Sequence, residues 1–313
     1  MPTSLSKSKK LTLFSLPKPF QGHIGIIQRN AIHSWVLLHP ECDIILFGDE
    51  PGTREAAEHF KIRNIPNVKR NEFCTPLVDD LFKRAQEVSQ YDILCYINAD
   101  IILTSSLLSA IDQVSDQKFL IVGRRWNLDV AEELDFKRSD WENELRLRAR
   151  REGKLFTDAG IDYFIFSRGL FSNIPSFAIG RSVWDNWLVY KAKREGAALI
   201  DATEILTVVH QNHDYSAALM NRSKDGPWKG IEAKSNLQIA GDLDYCFTIR
   251  DTEWRLTKRG LEKIHLTSEQ LLRKLTVWMV LNENHIFLRW FVKPILFIRL
   301  LVRRVFRWAR NTN

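Results

Sequence analysis

Several familiar signatures are missing from this chain. It has only four cysteines, at 42, 74, 95 and 246, and no two stand within four residues of each other. That excludes the paired spacings of zinc knuckles and thioredoxin-like redox sites. Cys42 and Cys95 adjoin or sit within apolar runs and read as buried thiols, the pattern of a reducing compartment. There is no glycine-rich phosphate loop, no Gly-x-Gly-x-x-Gly fingerprint and no Gly-x-Ser-x-Gly elbow. No internal repeat or low-complexity tract is visible. The amino end, MPTSLSKSKK, is basic enough to open a signal peptide, but the apolar run behind it breaks at Pro17, Lys18 and Pro19. A secretory core needs a longer run, so no signal peptide is expected.

What is present is a globular composition: 45% hydrophobic, 27% charged and 11% aromatic over 313 residues. That length allows one large domain or two small ones. Lys and Arg number 45 against 38 acidic residues, a formal charge of +7. Such an excess favours anionic partners (nucleotides, acidic membranes or nucleic acid) without choosing among them.

Strand-like and helix-like stretches alternate through the first half. Strands are expected at 11–16, 43–47, 68–73, 92–97 and 119–122, and helices at 24–38, 53–60, 77–88 and 107–114. Alternation of this kind predicts an α/β fold with a mostly parallel, doubly wound sheet flanked by helices. Ligands of such sheets bind beyond the carboxyl ends of the strands, which singles out Pro17, Gly48 and Asn98. Residues 129–154 are highly charged and read as an exposed helix. Residues 216–236, with Gly226, Pro227 and Gly230, read as a long flexible loop.

The strongest local feature is an apolar strand that ends in Asn98-Ala99-Asp100. A carboxylate at a strand end can hold a hard cation, which takes further oxygens from a phosphate-bearing substrate. The same residue could equally cap a turn. Asn98-Ala99-Asp100 resembles a variant of the DXD motif of GT-A-fold glycosyltransferases, with Asn in place of the first Asp. That resemblance implies a Rossmann-like catalytic domain, a nucleotide-sugar donor, a hydroxyl acceptor and a Mg²⁺ or Mn²⁺ ion on the donor diphosphate. Asp100 would be the metal ligand and Asn98 would lie beside it. The uncharged amide puts strict metal dependence in question. Three further features follow in the order the family uses. Asp162 and Tyr163, at the start of an alternating segment, would line the sugar and acceptor pocket. Asp185, in the first turn of a helix expected from 182 to 194, would be the general base of an inverting enzyme. Trp184 and Asn186 would flank it. His210, after a short strand at 206–209, would be a further metal ligand, with His213 and Asp214 as second choices. Asp49, ending the second strand, would sit near the base or ribose. The glycine-rich first loop of sugar nucleotidylyltransferases is absent, which argues against their chemistry. A related nucleotidyltransferase, or a non-catalytic membrane-bound partner with a decayed site, are the alternatives.

The carboxyl end differs in character. On a helical wheel of Ile286 to Arg310, the basic residues 289, 293, 299, 303, 304, 307 and 310 fall within roughly 140°. An aromatic-rich face lies opposite, the pattern of a helix lying in a membrane interface. Its uncharged stretches are too short to span a bilayer, and Pro294 would kink it. The expected organisation is a disordered tail at 1–10, a GT-A-like domain at 11–265 and a basic amphipathic extension at 266–313. The expected partners are a nucleotide sugar, a glycan or lipid-linked acceptor and, through 286–310, an anionic membrane, but not nucleic acid. Such a protein would be cytoplasmic and peripheral on the inner face of a membrane, in cell-surface polysaccharide or glycolipid synthesis.

Overall fold

Residues Leu11–Ser15 are all buried, as a strand covered on both faces must be. In the computed structural model, which describes residues 9–114, 118–213, 230–265 and 268–282, this segment is β1. The chain then runs through α1 (Gly22–Val36), β2 (Cys42–Phe47), α2 (Thr53–Phe60), β3 (Arg63–Ile65), α3 (Val78–Val88) and β4 (Ile93–Ile97). Next come β5 (Ile101–Ile102), α4 (Ser106–Asp112), β6 (Phe119–Val122), β7 (Trp126–Leu128), α5 (Trp141–Glu152) and β8 (Lys154–Leu155). They are followed by β9 (Tyr163–Ser167), α6 (Trp184–Arg194), β10 (Ala198–Asp201), β11 (Val209–Gln211), α7 (Ile231–Ala240), β12 (Trp254–Thr257) and β13 (Gly260–Lys263).

Nine strands form one sheet, in the order β13-β12-β10-β6-β9-β4-β1-β2-β3. β1 runs parallel to β2 and β4, β2 to β3, and β10 to β6 and β12. β9 is inserted antiparallel between β4 and β6. Its entrance therefore lies against the exits of its neighbours, with Ile97 opposite Tyr163. A second, four-stranded sheet has the order β5-β11-β7-β8. Helices cover the large sheet because its strands are apolar on both faces. One face carries an aromatic cluster: Phe14, Phe82, Tyr96, Phe166 and Trp184 meet mostly edge to face. Such pairs each contribute about 0.5–1.5 kcal/mol beyond the area they bury. The other face packs Leu11, Leu13, Ile32 and Trp35 around α1. All four thiols are free, with Cys42 and Cys95 buried.

Some expectations need correction. The third strand is Arg63–Ile65, and residues 68–73 contribute only one bridge, Arg70 to Pro76. Pro66, with no N–H to give, ends that edge. The charged stretch 129–154 is helical only over Trp141–Glu152, and Leu145 and Ala149 on that helix are buried beside Ile102, Leu128 and Val209. Residues 132–134 are instead tied to Asn30, which donates to the Glu132 carbonyl and accepts from the Leu134 amide. Of the loop expected at 216–236, residues 231–236 belong to α7, and 216–229 lie outside the described residues. In the expected tail, Lys9 is anchored: its amide donates to Asp112 and its ammonium to the Val114 carbonyl. The late strand is Val209–Gln211, so His210 lies within it.

The chain divides into two compact units, Met1–Ile264 and His265–Asn313. The second contributes one described helix, α8 (Ser268–Leu281). The amphipathic stretch 286–310 lies outside the described residues. Among the described residues no helix is long and apolar enough to cross a membrane.

Candidate active site

The small sheet assembles the site. Asp100 leaves β4 and immediately precedes β5, which pairs antiparallel with β11 so that His210 faces Ile101. That register sets Asp100 beside Gln211, whose amide and side chain both donate to the Asp100 carbonyl, each at 3.2 Å. Gln211 is held in turn by Asn30 and by the Ile27 carbonyl of α1. Two residues on, His213 Nε2 lies 3.1 Å from Asp100 Oδ2, and His210 Nε2 lies 3.7 Å from the same oxygen. Lys18 Nζ, on the loop after β1, is 3.9 Å away. Gln28 clasps that loop through both the amide and the carbonyl of Lys18.

Burial opposes a charge on Asp100, but the His213 hydrogen bond and the positive potential of His210 and Lys18 outweigh it. Its carboxyl is held well below the usual carboxylate range. Burial pushes His210 down, against the raising effect of Asp100. Asp100 Oδ1 and His210 Nδ1 are buried without a hydrogen-bond partner. Asp100, His210 and His213 each offer one ligand atom, all within 4.8 Å of one another. One carboxylate oxygen and two imidazoles, with a buried oxygen left unsatisfied, fit a divalent cation.

Beside this cluster runs a buried polar chain. The Tyr96 hydroxyl donates to Asn98 Oδ1 at 2.9 Å, and Asn98 Nδ2 donates to Asp162 Oδ1 at 2.8 Å. Asp162 is ion-paired with Arg125, whose guanidinium lies 4.3 Å from the centre of the Phe156 ring. Burial raises the Tyr96 phenol, and the charges of Asp100, Asp162 and Asp185 raise it further, so it remains a proton donor. Three carboxylates therefore surround this one ring.

Asp185 lies in the first turn of α6. Burial, and then the Asp162 charge, push its carboxyl up to about 7, opposed by the Asn186 amide and Arg125. The turn before it is strained: Val183, a buried β-branched residue, has φ 76°. Such a conformation costs about 1–3 kcal/mol and persists only where surroundings impose it. Asn236 of α7 imposes it here. Its side chain donates to the carbonyls of Ala178 and Ser182 and accepts from the Ala178 amide.

The structure thus brings together Asn98, Asp100, Asp162, Asp185, His210 and His213. It sets other candidates apart. Tyr163 is the first residue of β9, one position after Asp162. It is 1% exposed within the core, its hydroxyl packed over Gly123, where a Cβ would collide with it. Trp184 is buried against Tyr96 and Phe164 and is not a pocket wall. Asn186 is a latch, donating to the Ala159 and Phe247 carbonyls. Asp49, at the β2 exit, pairs with Arg70. It lines a cavity of about 310 Å³ with Asn67, Lys69, Arg70 and Asp80, none of which belongs to the Asp100 cluster. Asp214 lies outside the described residues. Sequence reasoning missed Lys18, Arg125, Gln211 and Asn236, which are lone polar residues whose meaning depends on pairing across the fold.

No protein-family model matches the sequence, and no curated protein matches it. Among solved structures, the chain is similar to glucosyl-3-phosphoglycerate synthase from Mycobacterium tuberculosis in complex with Mg²⁺ and UDP. The identity is 15%, the TM-score 0.45, and the match covers 76% of this chain and 79% of that one. It is also similar to the mannosyltransferase PcManGT from Pyrobaculum calidifontis in complex with GDP-Man and Mn²⁺, at 11% identity and TM-score 0.43, over 77% of this chain and 72% of that one. A third similar structure is S. aureus TarS, at 11% identity and TM-score 0.43, covering 75% of this chain and 43% of that one.

Proposed function

We propose that this chain is a GT-A-type glycosyltransferase that moves a sugar from a nucleoside-diphosphate sugar to a hydroxyl acceptor. The observation that carries the reading is the Asp100–His210–His213 cluster at the exit of a parallel strand, with Lys18 3.9 Å from Asp100, while the carboxylate of Asp185 feels the charges of Asp162 and Arg125. Asp100, His210 and His213 would hold a divalent cation, Mg²⁺ or Mn²⁺. Bound there, the cation would supply Lewis-acid stabilisation of the negative charge that builds on the departing diphosphate. Lys18 adds a second positive charge at the same place. Asp185 takes the proton of the acceptor hydroxyl as its oxygen bonds to the anomeric carbon and the bond from that carbon to the diphosphate breaks. A base with a pKa near 7 is matched to that task at neutral pH. The ion pair of Arg125 with Asp162 holds the wall between the cation ligands and the base.

The basic, aromatic-rich stretch Ile286 to Arg310 fits a membrane surface, and with it a lipid-linked or cell-surface glycan acceptor reached from the cytoplasmic side. The charge distribution supports this. Residues 265–313 hold nine Lys and Arg against two acidic residues, a net +7 equal to that of the whole chain. Residues 1–264 then balance, with 36 of each sign remaining from 45 and 38.

Incubation with UDP- and GDP-sugars and Mn²⁺, with detection of released nucleoside diphosphate, tests the reaction class. Release that disappears in Asp100→Ala is expected. Release of sugar 1-phosphate instead, with the nucleoside monophosphate passed on, would identify nucleotidyl transfer and overturn the proposal.

A further inference from the structure

Helix α8 is apolar on more than one side. Val277, Met279 and Val280 are buried, so part of its surface is already covered. Leu271, Leu275 and Trp278 differ: they keep 60%, 40% and 44% of their surface in water. At about 100° per residue these three fall within about 60° of one another. They form one stripe about 10 Å long, at about 1.5 Å per residue. A single exposed leucine is ordinary, but an aligned row of apolar side chains marks a contact surface. The charge around the row has one sign. No acidic residue stands between Gln270 and Asn282, while Arg273 and Lys274 lie on the same helix. Lys274 borders the stripe, about 40° from Trp278 on the wheel. The basic, aromatic-rich stretch that opens at Ile286 follows in the same unit of the chain.

We propose that α8 lies on an anionic lipid surface and inserts Leu271, Leu275 and Trp278 into it. The inference rests on the membrane reading of the stretch from Ile286 and needs nothing of the transfer reaction. An apolar stripe bordered by cations is what an interfacial helix presents: the cations meet headgroups while the leucines enter the acyl boundary. Trp278 places an apolar ring and an N–H donor at that depth. The helix is about 21 Å long, short of the about 30 Å hydrocarbon core, so it lies in the plane of the bilayer and does not cross it. A second copy of the chain is a poorer occupant. Two stripes of three side chains bury far less than the about 1,200 Å² of a stable interface, and the cations beside them would repel.

The test measures sedimentation of the full-length chain with vesicles of phosphatidylcholine and about 30% phosphatidylserine over a range of salt. Leu271→Gln combined with Leu275→Gln should weaken binding by at least about tenfold and leave its salt dependence unchanged, because only apolar contact is removed. Replacing Arg303, Arg304 and Arg307 by Ala should instead flatten the salt dependence. Leu271→Cys, made together with Cys74→Ser and Cys246→Ser and labelled with a nitrobenzoxadiazole fluorophore, should shift to the blue on these vesicles and be quenched by nitroxide-labelled lipid. The double Gln variant should melt with the wild type and show the same mass by light scattering. A double variant that binds vesicles as tightly as wild type would overturn the inference, as would a fluorophore that vesicles leave unchanged. Both results leave the charge-driven contact of residues 286–310 standing. A wild-type dimer that the double variant breaks would assign the stripe to a second copy and overturn the inference. A melting temperature lowered by several degrees would do the same, by assigning the stripe to the chain's own interior. No vesicle binding by the wild type would remove the inference together with the membrane reading beneath it, and leave the transferase reading to nucleotide binding.

Discussion

Asn98 and Asp185 show how much a single side chain is set by its neighbours. Asn98 departs from the acidic residue of the motif it resembles, and the departure has a local cause in the 2.8 Å hydrogen bond it donates to Asp162. Restoring the acid should therefore harm the protein. Asn98→Asp is expected to lower unfolding stability by about 1–3 kcal/mol, the cost of leaving a buried polar group badly paired, as read by urea denaturation. Asp185 carries the opposite lesson. Its carboxyl rises from 3.8 to about 7, chiefly through burial. Between about pH 4 and about pH 7 the folded chain keeps a proton that the unfolded chain has lost, so this residue's contribution to stability falls as pH rises. Asp185→Asn should flatten that slope, and above neutrality the variant should melt at a higher temperature than the wild type. Transfer should rise with pH and level off above about 7, where the base is free, and Asp185→Asn should slow it by about 10²–10⁴-fold. Asp100, Asp162 and Asp185 could be singled out in the sequence because each opens or closes an apolar segment. Arg125 and Lys18 were not, because a lone cation on a loop gains meaning only from the acid it meets across the fold.

At the scale of elements, the antiparallel insertion of β9 and the small four-stranded sheet do the assembling. β9 brings its entrance residue Asp162 to the exit of β4, and β11 brings His210 and His213 to Asp100. The parallel strands could be read from apolar runs, and α2 and β6 fall where periodicity places them. Strand direction is not written in such runs, so the reversal of β9 was invisible. Nor was the edge strand β3 legible, a three-residue piece chosen by its pairing with Ile45, Leu46 and Phe47. Tyr163 was misplaced for a simpler reason: it opens β9 with its ring buried in the core and its hydroxyl against Gly123. α7 also acts through an element and not through the reacting atoms. Asn236→Ala removes three hydrogen bonds from the turn that presents Asp185. It should cost about 1–3 kcal/mol in urea denaturation. It should also slow transfer while leaving metal and nucleotide binding unchanged.

For the whole molecule, charge and chemistry are divided. Residues 1–264 are electrically balanced and carry the cluster, while residues 265–313 carry the entire excess of +7. Each Lys or Arg near an anionic bilayer contributes about 1 kcal/mol, an attraction that salt screens. The full chain should therefore sediment with phosphatidylserine vesicles at low ionic strength and release as salt rises. Replacing Arg303, Arg304 and Arg307 by Ala should weaken that binding by about tenfold or more. Retention that ignores both salt and these substitutions would remove the charge argument. The claim on which the rest depends is that the Asp100 cluster joins a divalent cation to a nucleoside diphosphate. Calorimetric titration with UDP, GDP, dTDP and CMP, each with and without Mn²⁺, measures it directly in the wild type and in Asp100→Ala. One nucleotide should bind in a Mn²⁺-dependent manner, and that binding should vanish in the variant. Binding of no nucleotide under any condition, or equal binding by Asp100→Ala, would contradict it.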